Sequence, residues 1–361
     1  MSRYAAVHEV SRLAGPGDAR PTALQVVEDE GLVGKLKDKV VLITGASSGI
    51  GVETARAFHT TGATVYITAR DVAKGEETIK YILDKDEDKV NAAEIHLIKM
   101  DLDSTASVRL AAEEFLKQSK SLHILINNAG VMACPESKTG DGFETQFGTN
   151  HLGEYLHDFK HLRAYGPVLR KTGHFLLTYL LLPTMLSSAS KEFPARVVNV
   201  SSVGHFWGQV RFEDPNFSES GSYNPQAAYG QSKTANIYHA NELTNRYADR
   251  NLYAVSLMPG GVMTGLQKYV PPEHFKLLQD PKVQRFIMDA EQGAATTMVA
   301  AIGKDFKYKG RIYMEMCDEA GPSKGNGGHM DPGHSPWAFD KEKEAKLWNL
   351  SCELLGLNNE L

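Results

Sequence analysis

The chain has 361 residues, 42% hydrophobic and 23% charged, with a formal net charge of −5. That balance excludes a disordered or fibrous chain. It also lacks the basic footprint of a nucleic-acid binder and any like-charge tail. Cys134, Cys317 and Cys352 are too scattered for a disulfide framework or a zinc site and read as buried thiols. The most apolar run, 174–186, is interrupted by His174, Thr178 and Pro183 and is shorter than the ~20 residues of a membrane span. The first residues show no signal-like apolar core, so a cytoplasmic location is expected.

Residues 1–38 are irregular, punctuated by Gly15-Pro16-Gly17-Asp18 and Arg20-Pro21-Thr22, with a short helix expected from Thr22. They read as an N-terminal arm lying on a larger body. At Lys39 the pattern changes. Val40-Val41-Leu42-Ile43 is the short apolar run of a strand buried on both faces. A helix is predicted over 52–59, a strand over 63–68, a charged helix over 72–84, a strand over 95–100 and a helix over 106–118. Further strands are predicted over 122–126, 196–200, 253–257 and 311–315, and a long helix over 227–247. Strands alternating with helices predict an α/β fold: a doubly wound parallel sheet, the Rossmann arrangement. A prior of ~150 residues per domain allows two or three domains. The pattern instead gives one domain over 39–316, with a C-terminal tail over 317–361 packing through Trp337 and Trp348.

Between the first strand and first helix lies Thr44-Gly45-Ala46-Ser47-Ser48-Gly49-Ile50-Gly51. Gly45 permits a tight turn, Gly49 lets backbone approach a pyrophosphate, and Gly51 allows close helix packing. Amides at the helix N-terminus then face the anion. An acidic residue after the second strand would hold the ribose hydroxyls of NAD. Here Ala69 and Arg70 stand there, and a guanidinium suits the 2′-phosphate of NADP. Pairing of Arg70 with Asp71 is the alternative. Asp101, after the third strand, either bonds the adenine amino group or caps the following helix.

Tyr229 and Lys233 are four apart on a predicted helix and share a face. A nearby ammonium favours a phenolate and so lowers a tyrosine pKa toward the working range of an acid/base catalyst. Asn127-Asn128-Ala129-Gly130, Asn199-Val200-Ser201-Ser202-Val203-Gly204 and Pro259-Gly260-Gly261-Val262-Met263-Thr264 each follow a predicted strand, where open α/β sheets bind ligands. Ser201 and Ser202 compete for one role, because neighbours at a strand end point to opposite faces.

In this order the motifs resemble the short-chain dehydrogenase/reductase family over about 39–316, near its retinol-dehydrogenase-like and WW-domain-oxidoreductase-like branch. The resemblance implies an NADP(H)-dependent oxidoreductase that moves a hydride between nicotinamide and the carbonyl or secondary alcohol of a small apolar substrate. It implies that Ser202 binds the substrate oxygen and that Tyr229 transfers the proton. Lys233 would hold the nicotinamide ribose, and Asn150 would order a water leading to Lys233. It also implies a cofactor lining of Gly45, Ser47, Ser48, Gly49, Ile50, Gly51, Arg70, Asp101, Leu102, Asn128, Ala129, Gly130, Tyr229, Lys233, Pro259, Gly260, Val262 and Thr264. No metal is called for. His205, next to the serines, either touches substrate or packs. His329 and His334 read as a surface loop. Aromatic residues over 205–228 and 266–287 suggest an apolar pocket with some core members.

One segment departs from the family. Asn150-His151-Leu152-Gly153 should run directly into His174-Phe175-Leu176, but twenty residues, 154–173, intervene with Pro167 and scattered charge. Gly153-Glu154-Tyr155 is encodable with a splice-donor string and Lys171-Thr172-Gly173 with an acceptor. A translated intron or a gene-model error is therefore expected, with a genuine loop or flap beside the active site as the alternative. The interrupted helix builds a homodimer interface in many members, so an insertion there is expected to disturb assembly, or to leave a non-catalytic or non-productive form.

Overall fold

In a computed structural model, residues 2–85, 93–140, 142–152, 173–270, 280–325 and 332–359 are described. The insertion, apart from Gly173, lies outside them, as do Phe275 and His329.

The apolar runs pair into one sheet because each can bury both faces. Its strands are β1 (Val40–Ile43), β2 (Thr64–Ala69), β3 (Ile95–Lys99), β4 (Ile124–Asn127), β5 (Ala195–Val200) and β6 (Leu252–Leu257). A separate ribbon pairs β7 (Gly261–Val262) in parallel with β8 (Ile287–Met288). The large sheet ends with β9 (Tyr313–Glu315) and β10 (Asp318–Glu319), in the order β10-β9-β6-β5-β4-β1-β2-β3. All its pairs are parallel except β9–β10. That hairpin corrects the expected boundary, because a cut at 316/317 would separate two paired strands.

The helices are α1 (Ala23–Asp29), α2 (Ile50–Thr60), α3 (Val72–Lys85), α4 (Thr105–Gln118), α5 (Thr145–Asn150), α6 (His174–Ser188) and α7 (Pro225–Tyr247). They continue with α8 (Pro281–Gln284), α9 (Ala290–Gly293), α10 (Ala295–Ile302) and α11 (Lys341–Leu355). Period-two alternation divides the core. Val41, Ile43, Val65, Ile67, Ile126 and Val198 face Phe58 of α2, Val26 and Val27 of α1, and Met298 of α10. Leu42, Tyr66, Leu125 and Val197 face Phe115 of α4, Leu181 of α6, Leu243 of α7 and Trp348 of α11. The arm is therefore part of the core, not a strap laid over it. In the tail, Trp348 is buried edge-on to Phe175 with centroids 5.0 Å apart. Trp337 is half-buried, and its carbonyl accepts from the Tyr238 hydroxyl at 2.8 Å.

The strand order reverses between β1 and β4, the switch point where such sheets bind ligands. Here Thr44 links the two strand ends. Its N–H donates to Ile126 O at 3.0 Å, and its Oγ1 accepts from the N–H groups of Asn128 and Ala129 at 3.0 and 3.1 Å.

Candidate active site

The glycine loop joins β1 to α2. A Cβ at Gly51 would lie 2.7 Å from the Asn128 amide nitrogen, so only glycine fits there. Gly49, at φ +60°, sits at the N-cap of α2 and has no side chain to cap the first-turn N–H groups. Those donors are the cradle a pyrophosphate requires, so the residues fit a dinucleotide. Ala46 N–H donates to Thr68 O at 3.3 Å, which leans the loop on the end of β2. Arg70 follows that end and is exposed. Asp101 Oδ1 accepts from Asp103 N–H at 3.1 Å, whereas Ser104 caps α4, which decides against Asp101 as the cap. Leu102 is buried.

Asn150 ends α5, but its amide is fixed from outside that helix. Oδ1 accepts from Val131 N–H at 2.8 Å, and Nδ2 donates to Val131 O and Ser232 Oγ, both at 2.9 Å. Above Gly130 it converges with Lys233. A Cβ at Gly130 would lie 3.2 Å from Asn150 Oδ1 and 3.5 Å from Lys233 Nζ. Sequence reasoning missed what holds its carbonyl. His174 Nδ1 lies 3.1 Å from Asn150 O and must donate, since a carbonyl only accepts. Nε2 then accepts from the Thr44 hydroxyl at 2.8 Å. Burial keeps this imidazole neutral, pulling its pKa down to about 3. Phe175 N–H donates to His151 O at 2.8 Å, so the two ends of the interrupted helix meet.

α7 carries Tyr229 and Lys233, with Asn224 capping it and Pro225 at its first turn. Lys233 Nζ is 5.5 Å from the Tyr229 ring centroid and donates to Val200 O at 3.0 Å. Burial pulls the ammonium down to about 8. It pushes the Tyr229 phenol up to about 12, opposed by a hydrogen bond with Ser202. The lowering expected from Lys233 is not among the influences on the phenol in this geometry, where the ammonium donates to the Val200 carbonyl. Ser201 donates its hydroxyl to Lys233 O at 2.9 Å and faces away from the phenol. Ser202 faces Tyr229, and its Oγ also accepts from Gly204 N–H at 3.0 Å.

His205 is a strut, not a substrate contact. Nδ1 donates to Ser202 O at 2.6 Å, Nε2 accepts from Ser335 N–H at 2.9 Å, and burial lowers the pKa to about 4. Of the pocket aromatics, Trp207 stands 5.9 Å from Tyr229, and Tyr269 is exposed at 41%. Phe217 is buried, and Tyr223 donates to Cys134 O at 2.8 Å, so both belong to packing. His334 is half-buried and bonds Ser335 O. Among the described residues no three His, Cys, Asp or Glu side chains form a metal cluster. None of their helices is long and apolar enough to cross a membrane. The three thiols are buried and free, with pKa values pushed up to about 11, 12 and 11 for Cys134, Cys317 and Cys352.

β7 carries Val262, and Thr264 caps the turn after it through Leu266 N–H. Pro259 and Gly260 lead into that strand from β6. Glycine loop, strand ends and α7 together define a Rossmann oxidoreductase. The chain belongs to the short-chain dehydrogenase/reductase family. Residues 39–157 match the family model described as short chain dehydrogenase. The short-chain dehydrogenase/reductase prx1 of Penicillium roqueforti is 45% identical over 345 residues, 95% of this chain and 93% of its own. Retinol dehydrogenase 12 of Mus musculus is 39% identical over 326 residues, 90% and 89% of the two chains. A solved structure of an uncharacterized protein from Mycobacterium paratuberculosis is 34% identical with a TM-score of 0.62, covering 90% of this chain and 95% of that one.

Proposed function

We propose that this chain reduces the carbonyl of a small apolar substrate with NADPH, using Tyr229 as proton donor. The observation that carries the reading is the convergence of Ser202 Oγ, Tyr229 and Lys233 at the ends of β4 and β5, beside an uncapped glycine loop. Bound NADPH supplies the hydride that goes to the carbonyl carbon. Ser202 Oγ donates a hydrogen bond to the carbonyl oxygen and stabilises the negative charge developing there. The Tyr229 phenol then gives its proton to that oxygen, completing the alcohol. A phenol near 12 is protonated at neutral pH and an alkoxide is a stronger base, so the transfer runs downhill in the reducing direction. Lys233 would hold the nicotinamide ribose, and Asn150, which converges with it above Gly130, would order a water that resupplies the proton.

The substrate class rests on Trp207 beside Tyr229 and on Met263 and Tyr269, exposed on the segment that follows β7, all offering apolar surface. Relatives named for retinol agree in kind. The choice of NADPH rests on Arg70, exposed and free to pair with a 2′-phosphate. The test is oxidation of NADPH, with NADH in parallel, against a panel of apolar ketones and aldehydes. Turnover with NADPH is expected, with Arg70→Ala raising its KM about tenfold. Preference for NADH, or no turnover on any carbonyl, contradicts the reading.

A further inference from the structure

Arg20 is the buried arginine of the N-terminal arm, whereas Arg12 of the same arm is exposed. Its side chain is 3% exposed, and that of Asp18 is 6% exposed. Nε donates to Asp18 Oδ1 at 2.8 Å, fixing the guanidinium plane. Nη1 donates to Phe286 O at 3.1 Å. Nη2 reaches Ile287 O at 2.7 Å, Gly15 O at 3.1 Å and Arg285 O at 3.3 Å. Three of these carbonyls belong to consecutive residues at the entry to β8. An arginine planted on one stretch of backbone, more than 260 positions away in sequence, fixes where that stretch lies.

β8 in turn places β7. Gly261 pairs with Ile287 and Val262 with Met288. The Met288 side chain fills the space that a Cβ on Gly260 would need. A second clasp acts on α9, just beyond β8. Gln292 Oε1 accepts from Gly17 N–H at 3.0 Å, and its Nε2 donates to Asp18 Oδ1 at 3.1 Å and Asp18 O at 3.2 Å. Gly293, next to Gln292, lets α9 close on Val262 and on Ile50, the first residue of α2. The arm thus grips both elements that seat β7 against the glycine loop.

We propose that Arg20 is a positioning residue for the nucleotide site, acting through β8 on the Pro259–Val262 segment. The inference rests on the nucleotide-binding reading above. Arg20 touches neither substrate nor reacting atoms, and without it β7 loses its fixed distance from α2. Asp18 orients the guanidinium; burial pushes its carboxyl up, but hydrogen bonds from the Arg20 side chain and from the Ala14 and Arg20 N–H groups outweigh this and hold it at about 2.

The test is NADPH affinity, measured by fluorescence quenching on the full chain for the parent, Arg20→Gln, Arg20→Lys and Asp18→Asn, with Arg12→Gln as an exposed control in the same arm. Thermal melting runs alongside. Arg20→Gln is expected to weaken NADPH binding and raise its KM about tenfold while kcat changes less than about threefold. Arg20→Lys, which keeps the charge without the fork, recovers part of the loss, and Arg12→Gln matches the parent. If Arg20→Gln fails to fold, Asp18→Asn carries the test with a smaller shift in the same direction. Parental affinity in both Arg20→Gln and Asp18→Asn overturns the proposal. So does a loss of kcat in step with melting temperature and no change in affinity, which marks a purely structural arginine. A parent chain that binds no NADPH overturns the nucleotide reading itself.

Discussion

Two helical elements hold the site, and they are built differently. α7 is one unbroken helix of 23 residues, so helix geometry alone sets the spacing of Tyr229 and Lys233. The other element is in two pieces, with α5 closing at Asn150 and α6 starting at His174. There Asn150 is positioned by Val131, Ser232 and the His174 imidazole. A broken helix can still place a side chain when polar contacts take over from the backbone. The substitute carries a chemical liability, because it buries the neutral His174 imidazole.

Acid should expose that liability most strongly. His174 is pulled down to about 3 chiefly by burial, and two rings outside the junction, His239 on α7 and His205 after β5, add to the effect at about 3 and about 4. An unfolded histidine titrates near ~6.5, so the unfolded chain binds more protons as pH falls. The stability these groups contribute is complete above ~6.5 and is lost as pH drops toward their folded values. Each removes roughly 1.4 kcal/mol per pH unit across that window. Urea unfolding at pH 7.5, 6 and 5 should show the steep fall, and His174→Asn should flatten it. A pH-independent midpoint would contradict the burial of these rings.

On the α7 side, the two serines separate cleanly. Ser202→Ala should lower kcat by about 10²–10³, the cost of losing one donor to a developing oxyanion. Ser201→Ala should leave kcat within about threefold, because its hydroxyl is spent on Lys233 O. Equal effects in steady-state kinetics would erase the distinction between the two faces of the strand end.

The junction itself gives the smallest effect. Deleting 154–173 joins Gly153 to His174, and Phe175 then follows His151 by four residues, the helical spacing of the bond they already make. The deleted chain should fold, keep its activity and melt at the same or a higher temperature, since a loop of that length costs roughly 2–3 kcal/mol to close. Collapse of folding or activity would show the segment to be needed. A transcript that retains the sixty nucleotides as its dominant form would separately rule out a translated intron.

Local patterns carried the parts of this structure that were legible in the sequence. Val40 to Ile43, the glycine loop and the Tyr229–Lys233 interval announce themselves because strand, turn and helix have short periods. The β7–β8 ribbon was invisible, since two-residue strands leave no periodicity and their partners are far apart in sequence. Arg20 hid in a stretch that reads as loop punctuation, because nothing local shows that its partners are carbonyls beside β8. The link from Asn150 through His174 to Thr44 was likewise hidden, joining residues on either side of the insertion. The Tyr229 phenol shows the limit of spacing alone: a lysine one turn away in the helix donates to Val200 O, and burial with the Ser202 hydrogen bond sets the direction of the phenol's shift.

The most direct test of the account compares the parent with Tyr229→Phe in NADPH oxidation on an accepted apolar carbonyl, with NADPH affinity measured in parallel. A fall in kcat of about 10²–10⁴ with affinity unchanged is predicted, because only the proton donor is lost. A Tyr229→Phe chain that turns over as fast as the parent would contradict it.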